Sequence, residues 1–379
     1  METRENPRQE ASLSAGPETT PRGRVEAPSS ALPLRNLDAV RTLVVMAIGV
    51  GYASTLPLGP DHAELGRFVG YDPSWFGLHI LFFLSGLLAW RSLSQGRGGF
   101  GYFRRRARRT LPVLALYTLA VVSLLYPALC QPGALDAGGI GRLGLYLVKT
   151  LTLVSPGGPM PGALEDAAYM CLLQGTVWTL RWGAVLHIAT FIGQRLLGDR
   201  RHLLIASGIA VLAYAVVAAL YMARPSALIE TIAPLMRFGY AWALGACVWA
   251  WCAWLPRTAG CWGAVALILL GLAGAHHQFL AWSPVIDILA TSGFAASALA
   301  LLRLDTTVLR DWPPLALPLY LGVWPIGQTV LAVRPDLPLG LFIAVVLGIA
   351  LALAYAVSRA SRGVLRPPAA SQLKRPRTA

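Results

Sequence analysis

Leu37-Asp38-Ala39-Val40-Arg41-Thr42-Leu43-Val44-Val45-Met46-Ala47-Ile48-Gly49-Val50-Gly51-Tyr52-Ala53-Ser54-Thr55-Leu56 is the first long apolar stretch of the chain. Its charges, Asp38 and Arg41, stand at its head, and ten residues separate Arg41 from Tyr52. At a rise of about 1.5 Å per residue, a helix of this length covers the roughly 30 Å of a bilayer's hydrocarbon core. The stretch therefore fits a membrane span. Arg41 falls near one face and Tyr52 about 18 Å deeper, where a polar side chain is costly unless it has a task.

Working outward, the same pattern recurs. Hydrophobic residues make up 55% of the chain and charged residues only 13%, a balance suited to lipid rather than to two or three water-soluble domains. Segments of spanning length run over Val40–Leu56, Trp75–Leu93, Thr110–Leu129, Thr176–Leu197, Leu203–Met222, Ile232–Leu255, Trp262–Leu280, Pro284–Leu302, Leu315–Val333 and Leu337–Val357. The expectation is an all-α, polytopic transmembrane helical bundle of about ten spans. Leu143–Val154 is too short and too charged to join them and is assigned to an outer-face or re-entrant piece; if it crosses, the parity changes.

Arginine placement orients the bundle, because short cytoplasmic loops retain positive charge. Arg97, Arg104, Arg105, Arg106, Arg108 and Arg109 crowd between the second and third segments. Arg195, Arg200 and Arg201 follow the fourth, Arg257 the sixth, Arg303 and Arg310 the eighth, and Arg359, Arg362 and Arg366 the tenth. All fall on one side if both termini are cytoplasmic in the cell membrane. The net charge of +14 then reads as juxtamembrane charge facing anionic membrane lipids, and no nucleic-acid motif accompanies it. Residues 1–33 and 359–379 read as a disordered and a basic cytoplasmic tail around a membrane domain at 34–358. With no signal peptide expected, the first span serves for insertion, and any chemistry belongs to the bundle.

Cysteine and histidine usage is sparse. Cys247, Cys252 and Cys261 suit packing, whereas Cys130 and Cys171 fall on the outer side, where a bridge can persist; spacing alone leaves that bridge open. No Cys or His group has metal-ligand spacing, so no metal site is expected.

Several local patterns fall in order along the chain: Leu37-Asp38-x-x-Arg41, Phe82-Phe83-Leu84-Ser85-Gly86, Tyr102-Phe103-Arg104-Arg105-Arg106-Ala107-Arg108-Arg109-Thr110-Leu111-Pro112, Trp178-Thr179-Leu180-Arg181-Trp182 and Tyr320-Leu321-Gly322-Val323-Trp324-Pro325. In this order the chain, from about Arg35 to Tyr355, resembles the integral-membrane acyltransferase family 3. The resemblance implies transfer of an acyl group, often acetyl, from a cytoplasmic acyl-CoA-type co-substrate to a hydroxyl of a sugar, glycolipid or secondary metabolite, with no resident cofactor. That chemistry needs a base for the hydroxyl proton, donors for an oxyanion and cations for the donor's phosphates.

Three family positions differ here. The family places a histidine ten residues beyond its arginine, where this chain has Tyr52, a weak base with an ordinary pKa of about 10. A glutamate position is Gly183, and a histidine position in the ninth span is Val323. These substitutions point to altered or absent acyl transfer, so a degenerate binding, transport or accessory protein stands as the alternative. His79, at a depth similar to Tyr52, is a candidate displaced base or an ordinary packed polar residue. His187 is a weaker candidate. For the donor, the resemblance implies Asp38, Arg41, Ser85, Arg104, Arg105, Arg106, Arg108 and Arg109, suited to phosphate by bidentate guanidinium contacts; topological charge alone is the other reading of the arginines. Asp38 and Arg41, three residues apart, share a helix face and can pair. Trp178, Arg181, Arg237, Asp287 and Trp324 are the acceptor-side candidates, with Arg237 and Asp287 either a substrate site or a structural ion pair.

Overall fold

The structure, a computed structural model, describes residues 34–95, 99–131, 136–160, 162–196, 200–252, 254–279 and 283–365. The tail at 1–33, Arg97 and the end of the basic tail at 366–379 lie outside the described residues. The fold is all-helical. In chain order the helices are α1 (Leu37–Thr55), α2 (Pro73–Ser94), α3 (Phe100–Ala120), α4 (Tyr126–Leu129), α5 (Ala137–Leu151), α6 (Trp178–Leu196), α7 (Arg200–Ala223), α8 (Ala227–Ala250), α9 (Ala259–Phe279), α10 (Pro284–Arg303), α11 (Thr307–Arg310), α12 (Ala316–Val333) and α13 (Leu339–Leu365).

Each of the ten apolar segments lies largely within a helix. Among the described residues eight helical stretches are long and apolar enough to cross a membrane: α1, α2, Phe100–Leu129, Arg201–Ala223, α9, α10, α12 and Leu339–Ala360. The chain is thus a helical, multi-pass membrane protein. Helices α6 and α8, of 19 and 24 residues, have the length, but polar groups such as Arg181, His187, Glu230 and Arg237 lower their apolar content. The Leu143–Val154 piece is the end of α5 and the turn after it. At 15 residues, α5 measures about 22 Å, short of the hydrocarbon core.

One boundary needs correction. The arginine run does not precede the third helix but forms its first turns, because α3 begins at Phe100, ten residues before the expected Thr110. A helix divides the run by its period. Tyr102, Arg106 and Arg109 follow one stripe, while Arg104, Arg105 and Arg108 spread around the others. The helix is then carried through a π turn at Val121–Leu125 into α4.

Helix α2 is central, packing on α1, α6, α8 and α10. Its crossing with α8 is tight for a specific reason. A methyl group on Gly86 would strike the Trp242 carbonyl of α8, and one on Gly245 would strike the Phe83 carbonyl of α2. Small residues at such crossings let backbones approach where lipid provides no hydrophobic drive. Gly86 therefore serves helix packing, with Ser85 half-buried beside it. Two apolar cores flank this axis. Val45, Ile48, Leu319, Val323, Phe342 and Val346 join α1, α12 and α13, whereas Phe83, Leu84, Leu87, Trp249, Trp262 and Leu299 join α2, α8, α9 and α10. Leu204, Ile205, Ile209 and Leu212 of α7 and Leu267, Ile268 and Leu272 of α9 are exposed and suited to lipid.

Polar contacts fix both ends. At the basic end, Asn36 Nδ2 donates to the Leu301 and Leu304 carbonyls at 3.0 and 2.7 Å, tying the start of α1 to the end of α10. At the opposite, distal end, Tyr71 donates to the Ser283 carbonyl at 3.2 Å, tying the α1–α2 loop to the start of α10. The long segment between α5 and α6 also sits distally: Trp324 Nε1 donates to the Leu172 carbonyl at 2.8 Å, and Tyr146 donates to Gln174 Oε1 at 3.0 Å. Gln131, next to Cys130, donates its N–H to the Gly162 carbonyl, and the Met160 N–H donates to the Cys171 carbonyl, each at 2.7 Å; Cys130 and Cys171 are both free thiols.

Candidate functional site

Two polar groups form, one buried near the distal end of the bundle and one at the basic end, where Arg41 is half-buried and Arg106 and Arg109 are exposed. The distal one gathers around His79, which is fully buried in α2. Arg237 of α8 donates its Nε–H to His79 Nε2 at 2.9 Å, and His79 Nδ1 lies 2.9 Å from Thr291 Oγ1 of α10. A guanidinium can only donate. Nε2 is therefore the acceptor, Nδ1 carries the proton, and the ring is neutral with both nitrogens engaged.

Asp287, also fully buried, anchors the other side. Its carboxylate accepts from Trp75 Nε1 at 2.9 Å, from Thr291 Oγ1 at 3.2 Å and from the Tyr214 hydroxyl. His79 Nδ1 stands 3.6 Å away. The expected Arg237–Asp287 pair is thus corrected: histidine is interposed, and the guanidinium instead lies 3.3 Å above the Trp75 ring and donates to the Trp75 carbonyl at 3.4 Å. Four helices, α2, α7, α8 and α10, meet in this network. Buried charge requires such pairing.

Tyr52 sits close by, within electrostatic range of Arg237, so α1 brings it toward His79 as the depth comparison suggests. Tyr320 is also within its electrostatic range and bonds to Thr179 Oγ1 at 2.8 Å. Its ring meets Trp324 edge-on at 5.5 Å. Glu64, from the α1–α2 loop, also reaches Tyr52 and Arg237 electrostatically. Its carboxylate accepts from the Ser74 N–H at 2.8 Å and from the Ser74 hydroxyl. Burial pushes the Glu64 carboxyl above its ordinary range, against the pull of the Ser74 bonds. Trp178 packs near Phe238 at 5.7 Å. Arg181 is exposed over Trp182 and takes no part in the buried network.

The second group lies at the basic end. Arg41 of α1 is within electrostatic range of Arg106 and Arg109 of α3 and of Asp38. The expected Asp38–Arg41 ion pair is absent among the described residues, since none of the ion pairs within 4.0 Å joins them; Asp38 uses its carbonyl to accept from Thr42. Arg41, Arg106 and Arg109 donate no hydrogen bond to any described residue. Beside them is His187 of α6, 4% exposed, with Arg41 and Arg106 in electrostatic range. Its Nδ1 bonds to the Tyr102 hydroxyl, its ring stands edge-on to Trp242 at 4.6 Å, and its Nε2 is buried with no partner among the described residues. Trp242 is in turn fixed by donating to Thr190 Oγ1 at 2.7 Å.

Val323 is a core residue, 1% exposed, against α1. Gly183 faces open space. Sequence reasoning missed Thr291, Tyr214, Tyr320, Glu64 and the pairing of Tyr102 with His187. The one available signal was the four-residue step from Tyr102 to Arg106, which places both on one helical stripe.

No protein-family model matches this chain, and neither a curated protein nor a solved structure is significantly similar to it.

Proposed function

We propose that this chain is a membrane-bound O-acyltransferase of the acyltransferase family 3 type, moving an acyl group, acetyl being the simplest, from an acyl-CoA-type donor to a hydroxyl of a sugar, glycolipid or secondary metabolite. The observation that carries this reading is the convergence of Arg41, Arg106 and Arg109 at one end of the bundle with no ion pair or hydrogen bond to a described residue. Cations held together without partners suit a polyanion, and guanidinium groups suit phosphate. Asp38 lies within electrostatic range of Arg41, and Ser85, Arg104, Arg105 and Arg108 complete the donor set that the family resemblance implies. Trp178, Trp324, Tyr52, Arg237 and Asp287 line the acceptor side, with Arg181 outside it.

In this reading α6 and α8 also cross, giving ten spans in the cell membrane with both termini cytoplasmic, and the basic end faces the cytoplasmic donor. Membranes from cells making the full chain are incubated with labelled acetyl-CoA and hydroxylated acceptors. Label should move to an acceptor in a chain-dependent way. No transfer across sugars, glycolipids and the cell's own lipid extract overturns the reading.

A specific observation favours the second reading, a degenerate member that binds or moves its ligand. Tyr52, at the family's histidine position, is packed edge-on against Trp324 as a structural residue would be. Coenzyme A binding without transfer is the outcome that selects it.

A further inference from the structure

We propose that His187, on α6, is the group that accepts the hydroxyl proton, oriented by Tyr102, and that the expected base at His79 is a structural residue. This rests on the acyl-transfer reading and adds a residue to it. The two buried histidines differ in the way that matters for a base. Both His79 nitrogens are engaged, Nε2 by Arg237 at 2.9 Å and Nδ1 by Thr291 at 2.9 Å. His187 has one nitrogen engaged, by the Tyr102 hydroxyl, and a second, Nε2, buried without a partner among the described residues. A buried polar atom left unpaired calls for an explanation, and a ligand hydroxyl is one.

Placement agrees. His187 has Arg41 and Arg106, the cations assigned to the donor, in electrostatic range, and through Trp242, Phe82 and Phe238 it adjoins Arg237 of the acceptor side, so its ring stands between the two. Its ring is held from two sides, by Trp242 edge-on at 4.6 Å and by Tyr102 at 5.7 Å. A base positioned by a second side chain is the arrangement that makes proton transfer effective. With Nδ1–H donating to the Tyr102 oxygen, the Nε2 lone pair takes the acceptor's O–H proton. The freed oxygen attacks the thioester carbonyl, the new C–O bond forms, and the C–S bond breaks. The thiolate then leaves with the proton from His187 Nε2. Guanidinium groups stay on the donor's phosphates throughout.

The test measures acetyl transfer and, separately, coenzyme A binding on the purified full chain, for the native protein and for His187→Gln, Tyr102→Phe and His79→Gln. His187→Gln should lower kcat by about 100-fold or more, with coenzyme A binding changed by less than about threefold. Tyr102→Phe, acting through His187, should lower kcat about tenfold and leave KM for acetyl-CoA unchanged. Transfer within twofold of native in His187→Gln overturns the assignment and leaves the acyltransferase reading standing. Loss confined to His79→Gln overturns it also and returns the base to α2. If His187→Gln does not elute as a folded protein, Tyr102→Phe decides, and a native kcat in that variant overturns the proposal. Absence of transfer by the native chain overturns the acyltransferase reading and the base assignment together.

Discussion

The carboxylate of Glu64 occupies the space in which any side chain at Gly51 would stand. A loop acid is thereby seated against a membrane helix, one residue from Tyr52. Gly51→Ala should evict it and destabilise the protein by about 1–3 kcal/mol, read as a lowered Tm in detergent, whereas an unchanged Tm would show that the acid has no fixed seat.

Glu64 also predicts a pH dependence. Its folded carboxyl binds a proton more tightly than its ordinary value of 4.5, so the stability it contributes is full below that value and is lost as pH rises through the folded pKa. Each pH unit between the two values is worth about 1.4 kcal/mol. Glu64→Gln should flatten the stability curve above pH 4.5. An identical slope in native and variant proteins would refute this.

Removing Arg237 takes the nearby positive charge from the Asp287 carboxylate and the donor from His79 Nε2. Arg237→Met should cost about 3–5 kcal/mol, as breaking a buried pair does. Adding Asp287→Asn should recover part of that loss, so the two changes are non-additive in thermal unfolding. Simple additivity would mean that the network is not coupled.

The arginines should separate into two classes. Arg106→Gln removes charge-assisted bonds to a phosphate, worth about 1.5–3 kcal/mol, and should weaken coenzyme A binding by about tenfold or more. Arg104→Gln, off the stripe that Tyr102, Arg106 and Arg109 share on the same helix, should change it by less than about threefold at physiological salt. Equal effects at both positions would assign the arginines to diffuse surface charge.

The helices were legible because a span must be apolar for about 20 residues, and each expected segment carries a helix. Length alone placed Tyr52 and His79 at a common depth, and Arg237 joins them there. Partner choice was less visible. Thr291 bonds His79 across 212 positions of sequence, and Arg237 does so across 158; no local pattern encodes which of several helices will be adjacent. The start of α3 was missed because its arginines resemble a solvated loop when counted by hydropathy. Their helical spacing matters only once Tyr102 is known to be buried. The partner of Gly86, the Trp242 carbonyl, likewise required the fold.

Helix α3 opens with arginines in its first turns, and no side chain caps that end. The first backbone N–H groups of a helix and its macrodipole already make this terminus positive, and each added cation there is unfavourable by about 0.3–1 kcal/mol. This end of the bundle therefore holds electrostatic repulsion that the proposed polyanion would release. Affinity and fold stability become two readings of one quantity: a ligand at 100 times its Kd should add about 2.7 kcal/mol to unfolding, and salt, by screening the same repulsion, should stabilise the unliganded protein while weakening the complex.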